Sequence, residues 1–215
     1  MGIPVIEGYG LTETTAPIAG NLPHSIRSGT VGAPLPGATI RVADSGEILV
    51  QGIGVFSGYT SAPATADAFD GDFFKTGDTG SINDGFLTLN GRVKDDILTS
   101  DGKSISPYTW ENEVTRNPLV AHAVVVGEGR NYLTALIVPN EEELASSTLS
   151  NNEVYASIEK SVRDANALVA RNEQVKKFAV ARANLSDPTL VTPRQKLKRA
   201  IFTQRWAREI EQLYV

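Results

Sequence analysis

The pattern of hydrophobic and polar positions divides the chain into two textures. Residues 3–90 contain short apolar segments separated by glycine-rich turns, a pattern typical of a β-rich domain. Asp84-Gly85 predicts a tight hairpin, because both positions tolerate the positive φ that such a turn requires. The strands predicted in this part are 39–42, 47–51, 81–82 and 86–89.

After Gly91 the pattern changes to mixed helix and strand. Pro107 is suited to the first turn of a helix that runs to about residue 117. Valines, isoleucine and alanine at helical spacing from Val154 to Val169 predict a long helix, with Ser150 or Asn151 as its N-cap. The other predicted elements are an antiparallel strand pair at 120–127 and 132–138, a strand at 178–181 and a helix at 200–213. We therefore expect two parts, 1–91 and 92–215, with the boundary near Arg92.

The composition of the chain limits the class of protein only broadly. The 215 residues are 41% hydrophobic and 21% charged, enough for a buried core in one or two domains. The net charge of −5 argues against a general nucleic-acid binder, whose surface would be basic. There is no cysteine, hence no disulfide, thiol nucleophile or zinc site of the cysteine type. No apolar run approaches the roughly 18 residues of a membrane span, and we expect a cytoplasmic location. Contact with a membrane surface is left open.

One segment departs from the acidic average. Six basic residues and no acidic one lie between residues 192 and 208, and a small polyanion could dock on the resulting positive field. A solvated basic helix face is the alternative. The basic residues are Arg194, Lys196, Lys198, Arg199, Arg205 and Arg208.

Residues suited to phosphate chemistry occur near the start of the chain. The glycines Gly8 and Gly10 flank Tyr9, in a turn where backbone could approach a ligand closely. The hydroxyl of Thr12 could donate to a phosphate oxygen, and the carboxylate of Glu13 could hold Mg²⁺ directly or through water. A helix N-cap followed by an acidic first turn is the alternative reading of these two residues.

A carboxylate further along the chain is a candidate ribose contact. Asp78 could accept hydrogen bonds from both hydroxyls of a ribose, whereas a turn aspartate is the simpler interpretation of this residue taken alone.

Other chemistries find little support. With two histidines, no thiol and no Gly-x-Ser-x-Gly elbow, nothing supports a hydrolase with a nucleophile and a base.

Four segments together resemble, in order and spacing, the carboxyl-terminal portion of the adenylate-forming (AMP-binding) acyl-CoA synthetases, especially the long-chain fatty acid CoA ligases. These segments are 9–13, 75–78, 91–95 and 192–199. The resemblance covers almost the whole chain. It implies an α+β fold, in which the β-rich end of a large domain, part of a distorted barrel, precedes a small mixed α/β domain.

The resemblance also implies roles for individual residues. Tyr9, with Gly8 and Gly10, would lie against the adenine of ATP or AMP, Thr12 would contact the α-phosphate and Glu13 would help bind Mg²⁺. Asp78 and Arg92 would grip the ribose, and Lys94 would be the hinge. A loop containing Gly102 and Lys103 would serve thioester formation, with Lys103 meeting a phosphate of CoA.

Lys196 receives the sharpest assignment. Attack of an acyl carboxylate on the α-phosphorus of ATP places negative charge on the phosphate oxygens, which a positioned ammonium group stabilises. A solvated lysine on a basic tail is the alternative. Relatives usually have glycine at Asp101, glycine at Gln195 and threonine at Arg194, so this chain departs from the pattern in both loops.

The resemblance implies a long-chain fatty acid CoA ligase that uses a fatty acid, ATP and CoA. The loop for the β and γ phosphates, most of the adenine pocket and the acyl tunnel would lie upstream of Gly2, so the chain reads as a fragment needing the amino-terminal part of the enzyme. Two alternatives are an acyl-AMP ligase that loads a carrier protein and a non-catalytic binding module.

Overall fold

The computed structural model describes residues 3, 5–193 and 196–215. The chain forms two compact units, residues 1–95 and residues 96–215. Both combine sheets with few helices, and the α+β class predicted from the sequence is confirmed.

The first unit contains two sheets and one short helix. The elements are β1 (Gly8–Tyr9), β2 (Ala19–Gly20), β3 (Ala33–Pro34), β4 (Ala38–Val42), β5 (Glu47–Gly52), α1 (Ala62–Ala68), β6 (Phe69–Asp70), β7 (Phe73–Asn83) and β8 (Phe86–Arg92), with 3₁₀ turns at Thr12–Thr14 and Val93–Asp95. The small sheet has the order β1-β2-β3, and the larger one has the order β4-β5-β7-β6 with β8 paired to β7.

The predicted hairpin turn is present between β7 and β8. Asp84 and Gly85 have φ of 49° and 81°, as a tight turn between twisted strands requires. Strand β7 has eleven residues, however, where the sequence predicted only 81–82. Gly77 and Gly80 interrupt its apolar alternation, and Gly77 has a φ of 71° where the register against β5 shifts. The strand continues past this irregularity because it pairs with β5 and with β8.

The core of the first unit lies against the larger sheet and is built from alternating residues of its strands. Ile48, Val50 and Leu87 are fully buried, and the ring of Tyr9 packs in the same cluster. The residues just before β3 are joined to β8: the Val31 N–H donates to the Leu87 carbonyl oxygen, and the Leu87 N–H donates to the Gly32 carbonyl oxygen, each at 2.8 Å.

The second unit consists of β9 (Ile97–Leu98), β10 (Ser104–Ile105), α2 (Tyr108–Thr115), β11 (Val120–Val126), β12 (Leu133–Pro139), α3 (Glu141–Ser146), α4 (Asn151–Leu168), β13 (Val175–Val180), α5 (Arg199–Arg205) and α6 (Ala207–Gln212). Strands β9 and β10 form a two-stranded ribbon, and a three-stranded sheet has the order β11-β12-β13. Strands β11 and β12 are antiparallel, as predicted, whereas β13 runs parallel to β12.

Strand β12 is buried along its entire length because both faces of this sheet are covered. Residues of α2 and α4, among them Trp110, Val114 and Ile158, pack on one face. The segment after β13 covers the other face, with Leu190 and Phe202 fully buried. The chain beyond residue 180 is therefore part of the fold of this unit.

Most predicted elements of the second unit are found. Pro107 caps α2, and Ser150 is the N-cap of α4, where its hydroxyl and Glu153 form a capping box. The predicted single helix at 200–213 is wrong: α5 and α6 are separated at Trp206, whose ψ of 24° leaves the helical region. The Trp206 ring stacks on that of Phe202, with the ring centroids 4.5 Å apart. Helices α1 and α3 were not predicted, since both are short and largely exposed.

Within the described part of the chain, no helix combines the length and apolar character needed to cross a membrane.

Candidate nucleotide site

Three of the predicted site residues meet in the first unit. The Tyr9 hydroxyl donates to one carboxylate oxygen of Asp78 at 2.7 Å, and the Arg92 Nε donates to the other oxygen at 2.8 Å. Asp78 lies in a long strand, so the reading of it as a turn aspartate is wrong. The two hydrogen bonds fix the orientation of its carboxylate.

The register of the hairpin explains why Asp78 and Arg92 meet. Near the turn, paired residues run from Asn83 opposite Phe86 to Gly80 opposite Leu89, and the register then shifts by one residue, so that Asp78 lies opposite Arg92. Such a shift is a β-bulge, which places one extra residue in one strand and re-aims the side chains beyond it. Without it Asp78 would face Gly91.

The electrostatics of this cluster follow from its geometry. Burial raises the pKa of Tyr9, and the hydrogen bond to Asp78 and the charge of Asp78 raise it further, so Tyr9 stays a neutral donor. The hydrogen bond to Asp78 raises the pKa of Arg92. Asp78 is only 13% exposed while Arg92 is 46% exposed, so the carboxylate is held firmly and the guanidinium faces outward.

Thr12 and Glu13 follow Tyr9 in a 3₁₀ turn. Leu11 occupies the cap position of this turn, so the predicted alternative of Thr12 as N-cap is wrong. The turn is held by Thr14, a residue that the sequence analysis missed: its buried hydroxyl accepts from the Leu11 N–H at 2.8 Å and contacts the Ala16 carbonyl oxygen at 3.0 Å. Thr12 stays exposed, and its hydroxyl has no hydrogen-bond partner among the described residues.

Glu13 has two partners that the sequence did not predict. The Tyr59 hydroxyl donates to Oε1 of Glu13 at 3.0 Å, and the Phe56 N–H donates to the Glu13 carbonyl oxygen at 2.8 Å. A tyrosine 46 positions away gives no local signal in the sequence. The segment from Phe56 to Tyr59 therefore steadies the turn that carries Thr12 and Glu13.

Of the two glycines beside Tyr9, Gly10 is required by close packing and Gly8 is not. A Cβ on Gly10 would lie 2.7 Å from the Ala16 carbonyl oxygen and 2.8 Å from the Pro17 Cα, which is too close for any other residue. A Cβ on Gly8 would be only in ordinary contact, at 3.4 Å from the Ala19 carbonyl oxygen. The close approach at Gly10 is thus to the protein's own backbone.

A metal ion would have few protein ligands here. Among residues 3, 5–193 and 196–215, no three His, Cys, Asp or Glu side chains cluster in a way that could hold an ion. Mg²⁺ readily keeps water and phosphate oxygens in its shell and needs only one or two protein carboxylates. A single carboxylate such as that of Glu13 is compatible with a site of this shared kind.

Lys94 lies in the 3₁₀ turn Val93–Asp95, which is the last element of the first unit. Its side chain is exposed. The second unit begins directly after this turn, at Asp96.

In the second unit, the loop with Gly102 and Lys103 connects β9 to β10. Gly102 has a φ of +79°, which favours glycine, and the Thr99 N–H donates to the Lys103 carbonyl oxygen at 2.9 Å. The Lys103 ammonium lies 2.9 Å from the carboxylate of Asp101. Hydrogen bonds from the Thr99 hydroxyl and from Lys103 lower the pKa of Asp101 to about 2. The unusual aspartate therefore stabilises the loop and partly neutralises its lysine.

Lys196 is exposed, and its backbone pairs with Thr192. The Thr192 N–H donates to the Lys196 carbonyl oxygen at 2.8 Å, and the Lys196 N–H donates to the Thr192 hydroxyl at 3.1 Å. An antiparallel bridge also joins Val191 and Leu197. Arg194 and Gln195, whose departures from the family pattern were noted above, lie outside the described residues.

Three basic side chains near Lys196 have hydrogen-bond or ion-pair partners within the second unit. Arg199 pairs with Glu111, Arg205 pairs with Asp187, and the Lys198 ammonium donates to the Pro188 carbonyl oxygen at 2.8 Å. A wholly solvated basic face is therefore wrong for these three residues. These partners lie outside the basic segment, so the spacing of the basic residues did not predict the contacts.

Comparison with known proteins gives a consistent result. The family description "AMP-binding enzyme C-terminal domain" matches residues 94–215, and "AMP-binding enzyme" matches residues 1–60. The long-chain-fatty-acid–CoA ligase FadD15 of Mycobacterium tuberculosis is 36% identical over 99% of this chain. The chain spans only 38% of the length of that relative.

Solved structures show the same fold. The adenylation domain of a carboxylate reductase from Mycobacterium chelonae superposes with a TM-score of 0.74 at 24% identity, covering 97% of this chain and 34% of the other. The o-succinylbenzoate coenzyme A synthetase of Bacillus subtilis, in complex with ATP and magnesium ion, gives 0.69 at 26% identity, covering 93% of this chain and 41% of the other. On these grounds, the chain belongs to the family of AMP-binding, adenylate-forming enzymes.

Proposed function

We propose that this chain supplies the carboxyl-terminal part of the active site of a long-chain fatty acid CoA ligase. The enzyme joins a fatty acid to AMP at the expense of ATP and then transfers the acyl group to CoA. The observation that carries this proposal is the cluster of Tyr9, Asp78 and Arg92, in which a half-buried carboxylate is oriented from both sides. The similarity to FadD15 supports the choice of substrate class.

The cluster is suited to a ribose. A carboxylate offers about four acceptor positions, of which Tyr9 and Arg92 use two. Two positions of Asp78 remain for the 2′ and 3′ hydroxyls, and the exposed guanidinium of Arg92 adds a donor beside them. Because the partners hold the carboxylate in place before the nucleotide arrives, little ordering entropy is lost on binding.

The turn after Tyr9 is suited to the phosphates. The hydroxyl of Thr12 is exposed and has no hydrogen-bond partner within residues 3, 5–193 and 196–215, so it is available to donate to an oxygen of the α-phosphate. Next to it, Glu13 can share Mg²⁺ with the phosphates of ATP, while the Tyr59 hydroxyl keeps its carboxylate in position.

Lys196 serves the first reaction. A carboxylate oxygen of the fatty acid attacks the α-phosphorus, a new P–O bond forms, and the bond to pyrophosphate breaks. The ammonium group stabilises the charge that builds up on the phosphate oxygens in this transition state. In the second reaction the sulfur of CoA attacks the acyl carbonyl carbon and AMP leaves, and Lys103 would meet a phosphate of the incoming CoA.

The test separates the two reactions in the complete enzyme that contains this chain. Lys196→Ala should lower ATP–pyrophosphate exchange roughly 10²-fold or more, as is typical for loss of one charge-stabilising group. Formation of acyl-CoA from supplied acyl-AMP should change little. Lys160→Ala, which removes an exposed lysine paired with Asp164 on α4, is the control.

Near wild-type exchange in Lys196→Ala would overturn the role of this lysine. Acyl transfer from acyl-AMP to a carrier protein and not to CoA would overturn the proposed acceptor. Adding the region upstream of this chain in trans and finding neither acyl-AMP nor acyl-CoA would support a non-catalytic module instead.

A further inference from the structure

An ion pair in the second unit links the segment that carries Lys196 to helix α2. The Arg199 Nη2 donates to both carboxylate oxygens of Glu111 at 2.6 Å, and the two side chains are only 29% and 17% exposed. Lys196 lies three residues before Arg199 in the sequence.

The pair is also bound to the sheet. The Glu111 Oε1 accepts a hydrogen bond from the Val125 N–H at 2.7 Å, and the Arg199 Nη1 donates to the Val125 carbonyl oxygen at 2.9 Å. Both partners therefore hold the same residue of β11. Charge-assisted hydrogen bonds in such a network are stronger and more directional than a single surface contact.

The residues that lead from Lys196 to α5 are also held by contacts other than this pair. Leu197 packs against the core and is bridged to Val191, and the Lys198 N–H donates to the Leu190 carbonyl oxygen at 2.7 Å. Arg199 is the next residue and the first of α5. The Glu111–Arg199 pair thus fixes the point at which these residues enter the helix.

We propose that Glu111 and Arg199 are positioning residues for Lys196. This inference rests on the proposed function, since it assumes that Lys196 acts in adenylation. The pair has two effects on the lysine. It sets the start of α5 and so the placement of Lys196, and it neutralises the guanidinium, so that Lys196 is the exposed cation of the segment 196–199.

The rate of adenylation would then depend on the exact position of the Lys196 ammonium group. An electrostatic group acts fully only when it is held within a fraction of an ångström of the charge that it stabilises, and a displacement of about 1 Å can cost roughly 10²-fold in rate. Releasing Arg199 from Glu111 lets the residues that lead from Lys196 to α5 shift without removing Lys196 itself.

The first experiment uses Glu111→Gln in the complete enzyme. The amide keeps the size of the side chain but loses the charge, and we expect ATP–pyrophosphate exchange to fall about 10- to 100-fold. Acyl-CoA formation from supplied acyl-AMP should stay within a few fold of wild type. The matched control is Glu113→Gln, two residues further along α2, which breaks an exposed pair with Arg116.

A double-variant cycle then separates positioning from general stability. If Glu111 acts through Lys196, adding Glu111→Gln to Lys196→Ala should cause almost no further loss of exchange. Equal losses in the presence and absence of Lys196 would overturn the proposal. Arg199→Lys, which keeps the charge but not the planar fork, should reproduce the selective loss.

The outcomes distinguish the two proposals. If Lys196→Ala is active, the proposed function of Lys196 fails, whatever Glu111 does. If Lys196→Ala is inactive while Glu111→Gln and Arg199→Lys are both unaffected, only the positioning role fails. Loss of both half-reactions in Glu111→Gln and in Arg199→Lys would make the pair a general structural element, which also overturns the proposal.

Discussion

At the scale of single residues, Tyr9 illustrates how a motif residue can act in two ways. The resemblance assigns its ring to the adenine, whereas the structure places its hydroxyl on Asp78 and packs its ring in the core cluster. The ring and the hydroxyl can be tested separately, because phenylalanine keeps one and removes the other.

We expect Tyr9→Phe to raise the KM for ATP about tenfold while the protein remains folded. A hydrogen bond to a charged group contributes roughly 1.5 to 3 kcal/mol, and 1.4 kcal/mol corresponds to a factor of ten. Steady-state kinetics of acyl-AMP formation measure the effect in the complete enzyme. Tyr155→Phe, which alters a tyrosine stacked on Phe178, is the control. An unchanged KM in Tyr9→Phe would leave only the ring as functional.

At the scale of elements, the sequence predicted turns better than registers. Asp84-Gly85 identified the hairpin, because the backbone conformation of a tight turn is written in adjacent residues. The bulge that brings Arg92 opposite Asp78 depends on pairing across two strands and left no local pattern. Partners distant in sequence, such as Tyr59 for Glu13 and Glu111 for Arg199, were hidden for the same reason. The roles of the motif residues came from their resemblance to a family.

The loop between β9 and β10 gives a prediction at this scale. Asp101→Asn removes the charge that holds Lys103 but keeps the size of the side chain, so the ammonium becomes available to a phosphate of CoA. We expect the KM for CoA in the second half-reaction to fall about two- to tenfold, as a charge-assisted contact is gained. Adenylation, measured by pyrophosphate exchange, should not change. A higher KM for CoA would mean that Asp101 serves the reaction by ordering the loop.

At the scale of the whole molecule, the chain consists of two units that meet in sequence just after the turn Val93–Asp95. The first unit carries the proposed ribose and phosphate contacts and Lys94, and the second carries Lys103 and Lys196. A reaction in two steps can use such a division, if different faces of one unit serve successive steps.

The hinge assignment of Lys94 is testable at this scale. Lys94→Pro fixes φ near −65° and removes an N–H, so a backbone rotation at this position is blocked. We expect at least one half-reaction to fall tenfold or more, while Lys94→Ala, which leaves the backbone free, stays near wild type. Separate assays of pyrophosphate exchange and of acyl-CoA formation from acyl-AMP measure the two effects. If Lys94→Pro impairs neither, Lys94 is not a hinge.

The single extra residue in the β7–β8 ladder has a consequence for changes in chain length. Gly80 pairs with Leu89 and Asp78 pairs with Arg92, so deleting the one extra residue between Leu89 and Gly91 would give a regular ladder in which Arg92 still lies opposite Asp78. Because side chains alternate between the two faces of a strand, deleting two residues there would place Arg92 opposite Thr79, send its guanidinium to the other face and leave Asp78 without its cation. The hairpin should therefore tolerate the loss of one residue before Arg92 and reject the loss of two.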